Sequence, residues 1–393
     1  MQGDIKHWLA LSAIKNVGPG TGRKLLAHFK NPENIFKAGL SELMEVEGIK
    51  KFRAESIRNF NGWDVVEQAL KKIEENQITV LCHTEDEYPE MLKELPDSPI
   101  LLFVKGDITP EDRYAIAIVG TRTLSHYGKS VTEKFTGELV DMGFTIVSGM
   151  ARGIDTVAHR QALKGYGRTI AVLGCGIDIA YPPENLWLMQ RIAENGAVVS
   201  EFLPGSRPQR ENFPIRNRLI SAFSLGVLVV EAGQRSGALI TANFALEQGK
   251  EVFAIPGNIM ASNAQGTHAL IQHGAKLVNN SQDILEELGD LIKAYIKERK
   301  EKPAVKRKAL QAKRAVERKE KAAEPAGKQV VKKNPEHNDD GKRVFSVLGF
   351  EALHVDEIIR KTSLPAHRVL NVLLELELKG LVKQTDGMKF CIV

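Results

Sequence analysis

The sequence predicts an α/β fold with a Rossmann-like, mostly parallel sheet and helices on both faces. One observation is a series of seven short apolar runs between residues 81 and 290: AIAIV, FTIVS, TIAVL, AVVS, GVLVV, EVFAI and AKLV. The other is that helix-like stretches, such as KSVTEKFTGELVDMG and GALITANFALEQG, fill most of the spaces between them. Apolar runs without alternation, joined by helical crossovers, indicate a parallel sheet covered on both faces. Ligands of such sheets bind at the carboxyl ends of the strands.

Residues 1–80 are predicted to form an N-terminal helical domain of the helix-hairpin-helix or SAM-like kind. The stretches VGPGTGRKLLAHF and VEGIKKFRAESI each combine a hydrophobe, a glycine turn, basic residues and an apolar helix. They resemble a pair of helix-hairpin-helix units, in which backbone N–H groups at a helix start can approach a phosphate. Lys50 replaces the second glycine of the motif in the later copy. DNA contact and a protein-docking or packing role therefore both stay open for this domain.

Residues 297–341 are predicted to be a basic linker. The stretch 297–343 holds 17 Lys or Arg against 8 Asp or Glu, a net charge of +9, and has almost no apolar clusters. This composition is typical of a mobile tether with partial helix. Such a tether can hold nucleic acid weakly, but its charge can equally serve solubility alone.

Residues 342–393 are predicted to form a C-terminal winged-helix domain. KRVFSVLG, HVDEIIRKT, PAHRVLNVLLELELKG and LVKQTDGMKFCIV indicate three helices followed by a β-hairpin, in an order that looks like a winged helix. Such modules bind duplex DNA through the third helix or dock protein. The third helix here offers only His367, Arg368 and Asn371 as polar readers, which favours protein docking or a structural role.

The bulk composition excludes several classes of protein. No run of about 18 apolar residues occurs, so no membrane span is predicted. The stretch MQGDIKHWLALSAIKN lacks the basic start and the uninterrupted apolar core of a secretion signal. Cys82, Cys175 and Cys391 lie far apart, without metal-ligand spacing or the pattern of a disulfide framework. We therefore expect a cytoplasmic protein without a metal site.

The loops after the predicted strands carry residues suited to an anion. A glycine at a strand end lets the backbone come close to a ligand, a hydroxyl can bond an oxygen, and arginine matches the geometry of phosphate. Turns of this kind also use Gly, Ser and Asp for purely structural reasons, but turn geometry does not require arginine. The candidate phosphate-binding residues in these loops are Gly120, Thr121, Arg122, Gly149, Arg152, Gly153, Ser236, Gly237 and Thr241.

The stretch RENFPIRNRLISAFS adds more basic residues at a predicted helix start, where the macrodipole favours anions rather than cations. An anionic ligand would reconcile the two, and six arginines spread over several loops suit an extended polyanion better than a single phosphate. Phe213 can stack on a base or can fill the core beside Pro214, and the residues alone do not decide between these roles. The further candidates are Arg210, Phe213, Arg216, Asn217 and Arg218, together with Arg207 of the preceding turn.

Several long motifs in one order give the chain a family resemblance. These are VGTRTLSHYG, SGMARGID, AVLGCGIDIAYPPEN, FPIRNRLIS, VVEAGQRSGALITA, VFAIPG and GTHALIQHGA. Together they resemble the DNA-processing protein A family (DprA, also called Smf), over residues from about 85 to 280. The helical front segment and the winged-helix tail also fit the family's architecture.

The resemblance implies a single-stranded DNA-binding protein of natural transformation and recombination. Such proteins protect incoming single strands, help to load the RecA recombinase, work as homodimers and are not known as catalysts, so no cofactor is implied. The family's anion pocket is built around a motif that matches Gly120, Thr121 and Arg122, and its basic-aromatic pair matches Arg210 and Phe213. One departure is that Pro183 stands where some members have a DNA-binding lysine.

The alternative is a nucleotide-processing enzyme, similar to a phosphoribohydrolase, on a related sheet. A mononucleotide enzyme needs a catalytic group, and Glu231, Asp155 and Glu201 are available carboxylates. No Ser/His/Asp trio, HExxH, phosphate-binding P-loop or GxGxxG fingerprint occurs. The glutamate-bearing PGGxGTxxE motif of such hydrolases is also missing, and EAGQRSGALITA is only a distant echo of it.

Overall fold

The computed structural model describes residues 2–289, 292, 339–349, 353–378, 381–385 and 387–392. The chain divides into two compact units, residues 1–314 and 315–393. Residues 297–338 of the predicted basic linker lie outside the described residues.

Six helices form the N-terminal region. Pro19 stands at the first position of α2, where its missing N–H costs nothing, and the Asn31 side chain caps α3 by accepting from the Glu33 N–H at 2.7 Å. Trp63 joins Phe36 and Phe60 in an aromatic cluster, with ring centroids 5.5 and 5.3 Å away. The helices are α1 (Gln2–Ala13), α2 (Pro19–Phe29), α3 (Pro32–Lys37), α4 (Leu40–Glu45), α5 (Lys51–Arg58) and α6 (Trp63–Glu75).

The two hairpins of this region have different surroundings. In the first, Arg23 Nη1 donates to the Leu95 carbonyl at 2.6 Å, and a Cβ at Gly22 would lie 3.1 Å from the Ile100 side chain. The second leaves Lys50 and Phe52 exposed. The first hairpin therefore packs against the segment that precedes the second strand of the sheet.

A nine-stranded sheet follows, and the predicted α/β class is confirmed. The strand order is β1-β2-β6-β5-β4-β3-β7-β8-β9. The β1–β2 and β2–β6 pairs are antiparallel, and all pairs from β6 to β9 are parallel. The predicted boundary between residues 80 and 81 falls inside β1. The strands are β1 (Thr79–Cys82), β2 (Leu101–Gly106), β3 (Ala115–Val119), β4 (Thr145–Ser148), β5 (Thr169–Leu173), β6 (Ala197–Ser200), β7 (Gly226–Val229), β8 (Glu251–Ala254) and β9 (Lys276–Leu277).

Helices cover both faces of this sheet, which explains why the strand sequences are apolar without alternation. On one face Leu219 and Ala242 pack with Ala117 of β3, and on the other Phe135 and Ala158 pack with Ile116. The helices are α7 (Glu90–Lys93), α8 (His126–Asp141), α9 (Ile154–Lys164), α10 (Leu186–Asn195), α11 (Asn212–Ala222), α12 (Gly237–Glu247), α13 (Gln265–Gln272) and α14 (Ser281–Leu288).

The strand order reverses between β3 and β7. The chain runs from β3 through β4 and β5 to β6 on one side, and from β7 through β8 to β9 on the other. The connecting loops on either side of this point diverge and leave a crevice, which is where ligands of open α/β sheets bind. Ligand-binding residues are therefore expected in the loops that follow β3, β4, β5 and β7.

The C-terminal unit has the predicted winged-helix arrangement. Its three-stranded sheet has the order β10-β12-β11, and buried Val355, Ile358, Val369 and Leu373 form the apolar sides of its helices. Its elements are α15 (Asp339–Val347), β10 (Leu353–His354), α16 (Val355–Thr362), α17 (Ala366–Leu378), β11 (Val382–Thr385) and β12 (Lys389–Ile392). Throughout the part of the chain that the structure describes, every helix is too short or too polar to cross a membrane.

Candidate nucleic-acid interface

A small pocket lies at the carboxyl ends of β3, β4 and β5. Its volume is about 20 Å³, which is room for about one water-sized group. A phosphate oxygen can enter such a pocket, but a nucleotide has to lie across its mouth. The lining residues are Arg122, Gly149, Ala151, Arg152, Tyr181, Pro182 and Phe213.

Phe213 lies close to two guanidinium groups at this pocket. The ring centroid is 5.6 Å from Arg122 Cζ and 5.9 Å from Arg216 Cζ, and the Tyr181 ring lies 5.4 Å away. Both cations are within the distance at which an aromatic face attracts them. The ring is only half-buried, so part of it stays accessible to a ligand.

Arg216 forms the floor beneath Phe213 and is 4% exposed. Its Nη1 donates to the Gly149 carbonyl at 2.7 Å and also to the Val172 carbonyl, and its Nε donates to Asn217 Oδ1 at 3.1 Å. Burial lowers the pKa of Arg216 to about 10, so the group stays charged at neutral pH. Its described hydrogen bonds all go to neutral acceptors, and the carboxylate that acts on its charge is that of Asp155.

Asp155 is the carboxylate next to this floor. It accepts hydrogen bonds from the Gly149 and Ala151 N–H groups at 3.2 and 3.3 Å, near the start of α9. Burial raises the pKa of Asp155 to about 6, although the nearby Arg216 charge favours the ionised form. The carboxyl therefore titrates just below neutral pH.

Two predicted glycines are required by close approaches rather than by a ligand. A Cβ at Gly149 would lie 2.8 Å from the Arg216 guanidinium, and Gly153 has a φ of +80°, where L-residues are strained. Ile154 N also donates to the Thr121 carbonyl at 3.2 Å. These glycines bring the loops after β3 and β4 together, and so place Arg122 beside the pocket.

Arg152 lines the pocket but has a carboxylate partner. Its Nε and Nη2 donate to the Glu184 carboxylate at 2.5 and 3.2 Å, and both side chains are largely exposed. The hydrogen bonds with Arg152 hold the pKa of Glu184 below its ordinary value. A polyanion at this position has to compete with Glu184 for the arginine.

The expectation that six arginines form one rim needs correction. Arg218 is 3% exposed and pairs with the buried Glu201 at 2.5 Å and with the exposed Asp97 at 2.9 Å, so its charge already has carboxylate partners within the chain. Arg207 and Arg210 are exposed, but neither lines the pocket. Arg122 and Arg152 remain as its lining arginines, with Arg216 beneath them.

The remaining predicted residues lie at the start of α12, on α11 and directly after β3. Ser236 caps α12 by accepting from the Ala238 N–H at 3.3 Å, and Thr241 is 1% exposed and packs in the interior. Asn217 donates to the Gly237 carbonyl at 3.2 Å and so ties α11 to α12. Gly120, the first residue after β3, has no space for a Cβ, because one would meet Ile154 at 2.5 Å. These positions support the architecture around the pocket.

Sequence reasoning missed Tyr181, Pro182 and Ala151 as pocket residues. The signal for the first two was the aromatic and proline pair in CGIDIAYPPEN, the loop after a buried strand. The spacing of that loop does not show that it returns to Phe213, about 30 residues later in the chain. Its contact with Phe213 depends on the parallel pairing of β4, β5 and β6.

Glu231, the candidate catalytic carboxylate, is 5% exposed and held by hydrogen bonds. Its Oε1 accepts from Ser125 Oγ at 2.5 Å and from Asn263 Nδ2 at 2.7 Å, and its Oε2 accepts from the Ser125 N–H at 3.0 Å. Both oxygens thus fix the loops that follow β3 and β8. Among the described residues, no group of three or more His, Cys, Asp or Glu is placed to hold a metal ion.

Comparison with known proteins agrees with this architecture. The family model of DNA recombination-mediator protein A matches residues 79–289. The chain belongs to this family. Models of a helix-hairpin-helix motif and of the DprA winged helix domain match residues 7–68 and 329–388, on either side of the family region.

Individual relatives extend over most of the chain. Protein Smf of Synechocystis sp. is 36% identical over 98% of both chains. DNA processing protein DprA of Bacillus subtilis is 44% identical over 56% of this chain and 75% of that protein. The X-ray structure of DprA from Streptococcus pneumoniae has 37% identity and a TM-score of 0.61, and the match covers 71% of this chain and 95% of that chain.

Proposed function

We propose that this DNA recombination mediator binds single-stranded DNA across the mouth of the pocket at β3, β4 and β5. The observation that carries the proposal is the half-buried Phe213 ring, whose centroid lies 5.6 Å from the Arg122 guanidinium and 5.9 Å from that of Arg216. Basic residues combined with an aromatic face hold single strands by phosphate pairing and base stacking. Every base has a π-face, so such a site tolerates any sequence.

The charges around the pocket support a phosphate ligand. Arg122 is exposed and makes no ion pair among the residues that the structure describes. Arg216 donates to backbone carbonyls and Asn217, so its charge has no directly bonded carboxylate. A ligand phosphate at the mouth would give Arg122 an anionic partner, and a base beside it would cover Phe213.

We also propose three finer roles for this chain. The chain protects incoming single strands, helps to load the RecA recombinase and acts as a homodimer. The matched family description of a recombination mediator supports a role in recombination. Recovery of RecA strand exchange on DNA coated with single-strand-binding protein tests loading, and light scattering tests the dimer. No recovery, or a monomer at micromolar concentration, would remove these roles and leave DNA binding untouched.

We propose binding rather than catalysis at this edge of the sheet. The support is Glu231, whose two oxygens accept from Ser125 and Asn263 and which is almost inaccessible. A general base needs a free lone pair within reach of its substrate. Incubation with nucleoside monophosphates should release no ribose phosphate. Turnover that disappears in Glu231→Gln would instead establish the hydrolase.

The test of DNA binding is fluorescence anisotropy with labelled oligothymidine and a matched duplex over a series of salt concentrations. We expect preference for the single strand and a log–log salt slope of roughly −3, since about four phosphate contacts contribute about −0.7 each. Phe213→Leu keeps an apolar side chain but removes the ring, and should cost about 1–3 kcal/mol of binding. Phe213→Tyr keeps the ring and serves as the matched control.

Each outcome of this experiment has one meaning. Loss of affinity in Phe213→Leu with retention in Phe213→Tyr supports stacking. Wild-type affinity in both variants would show that Phe213 only fills space. Salt-insensitive binding, or equal affinity for the duplex, would overturn the proposed function. A thermal melt of each variant controls for loss of fold.

A further inference from the structure

A second opening lies at the same edge of the sheet, over the crevice between β3 and β7. It is a wide groove of about 850 Å³. It is much larger than the pocket at Phe213, and its lining belongs to the loops after β3, β7 and β8. The residues that matter for its chemistry are Thr121, Gln234, Arg235, Met260, Asn263 and Gln265.

The groove and the pocket share the loop after β3. Thr121 lines the groove, and the next residue, Arg122, lines the pocket. The Thr121 N–H donates to the Glu231 carbonyl at 2.7 Å, which holds this loop on the end of β7. A chain that leaves the pocket past Arg122 can therefore enter the groove across Thr121.

The lining of the groove suits a nucleotide. It contains an arginine and several amides but no Asp or Glu. Arg235 is exposed and forms no ion pair within the described part of the chain, and Gln234 and Gln265 are exposed as well. A guanidinium can bond a phosphate, and side-chain amides can donate to and accept from base edges.

The rim adds an apolar surface. Met260 is 86% exposed and the adjacent Ile259 is 79% exposed, on the loop after β8. Such fully exposed apolar side chains gain from covering a planar apolar surface, because contact removes area from water. A base lying over Met260, with its phosphate towards Arg235, would satisfy both features at once.

The walls of the groove are fixed before any ligand arrives. Below it, the Glu231 carboxylate accepts from Ser125 at 2.5 and 3.0 Å on one flank and from Asn263 at 2.7 Å on the other. Ala232 N also donates to the Asn263 carbonyl at 2.7 Å. A preorganised wall lowers the entropy cost of binding, which is a reason to hold Glu231 in this bonded state.

We propose that the groove is a second nucleotide subsite, in which the strand that crosses Phe213 continues over Thr121 and places a phosphate on Arg235 and a base against Met260. This inference rests on the proposed function, because it assumes a strand at the pocket. It extends that function by assigning Glu231 to the construction of the site and Arg235 to a contact beyond the pocket.

The test is Arg235→Ala in the full chain, titrated with oligothymidines of about 4 to about 16 nucleotides, the range of single-strand site sizes. The shortest oligomers that bind should have wild-type affinity. Longer ones should bind more weakly, with the salt slope reduced in magnitude by about 0.7 for one lost phosphate contact. Met260→Ser should show the same length dependence without the change in slope. Arg113→Ala, an exposed arginine before β3, is the control.

The possible outcomes are distinct. Wild-type binding of all lengths by Arg235→Ala would overturn the subsite, and so would an equal loss at all lengths, since the groove would then not be reached later than the pocket. If the variant loses affinity only for free thymidine monophosphate, the groove is an isolated nucleotide site and not the continuation of a strand. Failure of the wild-type chain to bind any oligomer would remove the proposed function itself.

Discussion

Arg216 and Arg218 stand two residues apart on α11 and are both almost fully buried, yet their surroundings are opposite. Arg216 belongs to the pocket floor, where its guanidinium donates to the Gly149 and Val172 carbonyls. Arg218 belongs to a carboxylate cluster with Glu201 and Asp97. A cation bonded to neutral carbonyls still attracts an anion, whereas a cation bonded to two carboxylates does not. The comparison shows that burial and charge alone do not make an arginine part of a binding site.

The largest expected effect is on stability, in the carboxylate cluster. Arg218→Met removes the cation and leaves Glu201 buried without its partner, since both Glu201 and Arg218 are almost inaccessible. Breaking such a pair from one side costs about 3–5 kcal/mol. Urea denaturation followed by circular dichroism measures the loss.

Two variants sharpen this prediction. Arg191→Met removes an exposed arginine paired with Glu194, and should cost roughly 0–1 kcal/mol as surface ion pairs do. Adding Glu201→Gln to Arg218→Met should recover part of the loss. Equal destabilisation by the buried and the surface replacement would refute the assignment of Arg218 to a structural role.

The next effect is the pH dependence of the pocket floor. Burial raises the pKa of Asp155 from 3.8 to about 6. Protonation below that value removes the negative charge beside Arg216, so affinity for single strands should rise as pH falls from about 7 to about 5. If bound DNA raises the pKa of Asp155 further, each additional pKa unit corresponds to about 1.4 kcal/mol of difference in binding free energy between the protonated and the ionised forms. Anisotropy at a series of pH values measures it, and Asp155→Asn should flatten the difference.

The same carboxyl group also makes folding stability depend on pH, in the same direction as DNA affinity. Because the folded state holds the proton more tightly than the unfolded state, Asp155 contributes most stability below about pH 3.8. That contribution is lost as the pH rises through about 6.

The DNA-affinity prediction for Asp155 has a clear contradicting outcome. If the pH profile of DNA affinity is the same in the wild type and in Asp155→Asn, the charge of this carboxyl does not affect binding at the pocket.

A smaller effect is expected at the pocket rim, where Arg152 is shared with Glu184. Glu184→Gln removes the competing charge, so Arg152 becomes available to the strand. The salt slope for oligothymidine should steepen by about 0.7, the contribution of one added phosphate contact. Glu194→Gln, which frees the exposed Arg191 away from the pocket lining, is the matched control. An unchanged slope in Glu184→Gln would place the strand away from Arg152.

Much of the fold could be predicted, because the parallel strands and the covering helices leave local patterns. Apolar runs such as AIAIV and TIAVL became β3 and β5. The antiparallel strands β1 and β2 were not predicted, and the predicted domain boundary cuts β1. The runs TVLC and LLFVKG are short and follow the helical region directly, so their membership of the sheet depends on pairing with each other and with β6.

The site was less predictable, for a physical reason. Glycine and arginine after a strand are visible in sequence, and Arg122, which was selected on that ground, lines the pocket. The partners that neutralise an arginine are not visible, because Asp97, Glu201 and Glu184 reach Arg218 and Arg152 only through tertiary structure. Thr241 likewise belongs to an attractive motif, but its helix turns it into the interior.

The central claim is that phosphates meet the arginines of the pocket and not those of the carboxylate cluster. It is tested by the salt slope of oligothymidine binding in three folded variants measured side by side: Arg122→Ala, Arg218→Met and the control Arg113→Ala. We predict a slope smaller in magnitude by about 0.7 for Arg122→Ala and an unchanged slope for the other two. A wild-type slope in Arg122→Ala together with a reduced slope in folded Arg218→Met would contradict the account.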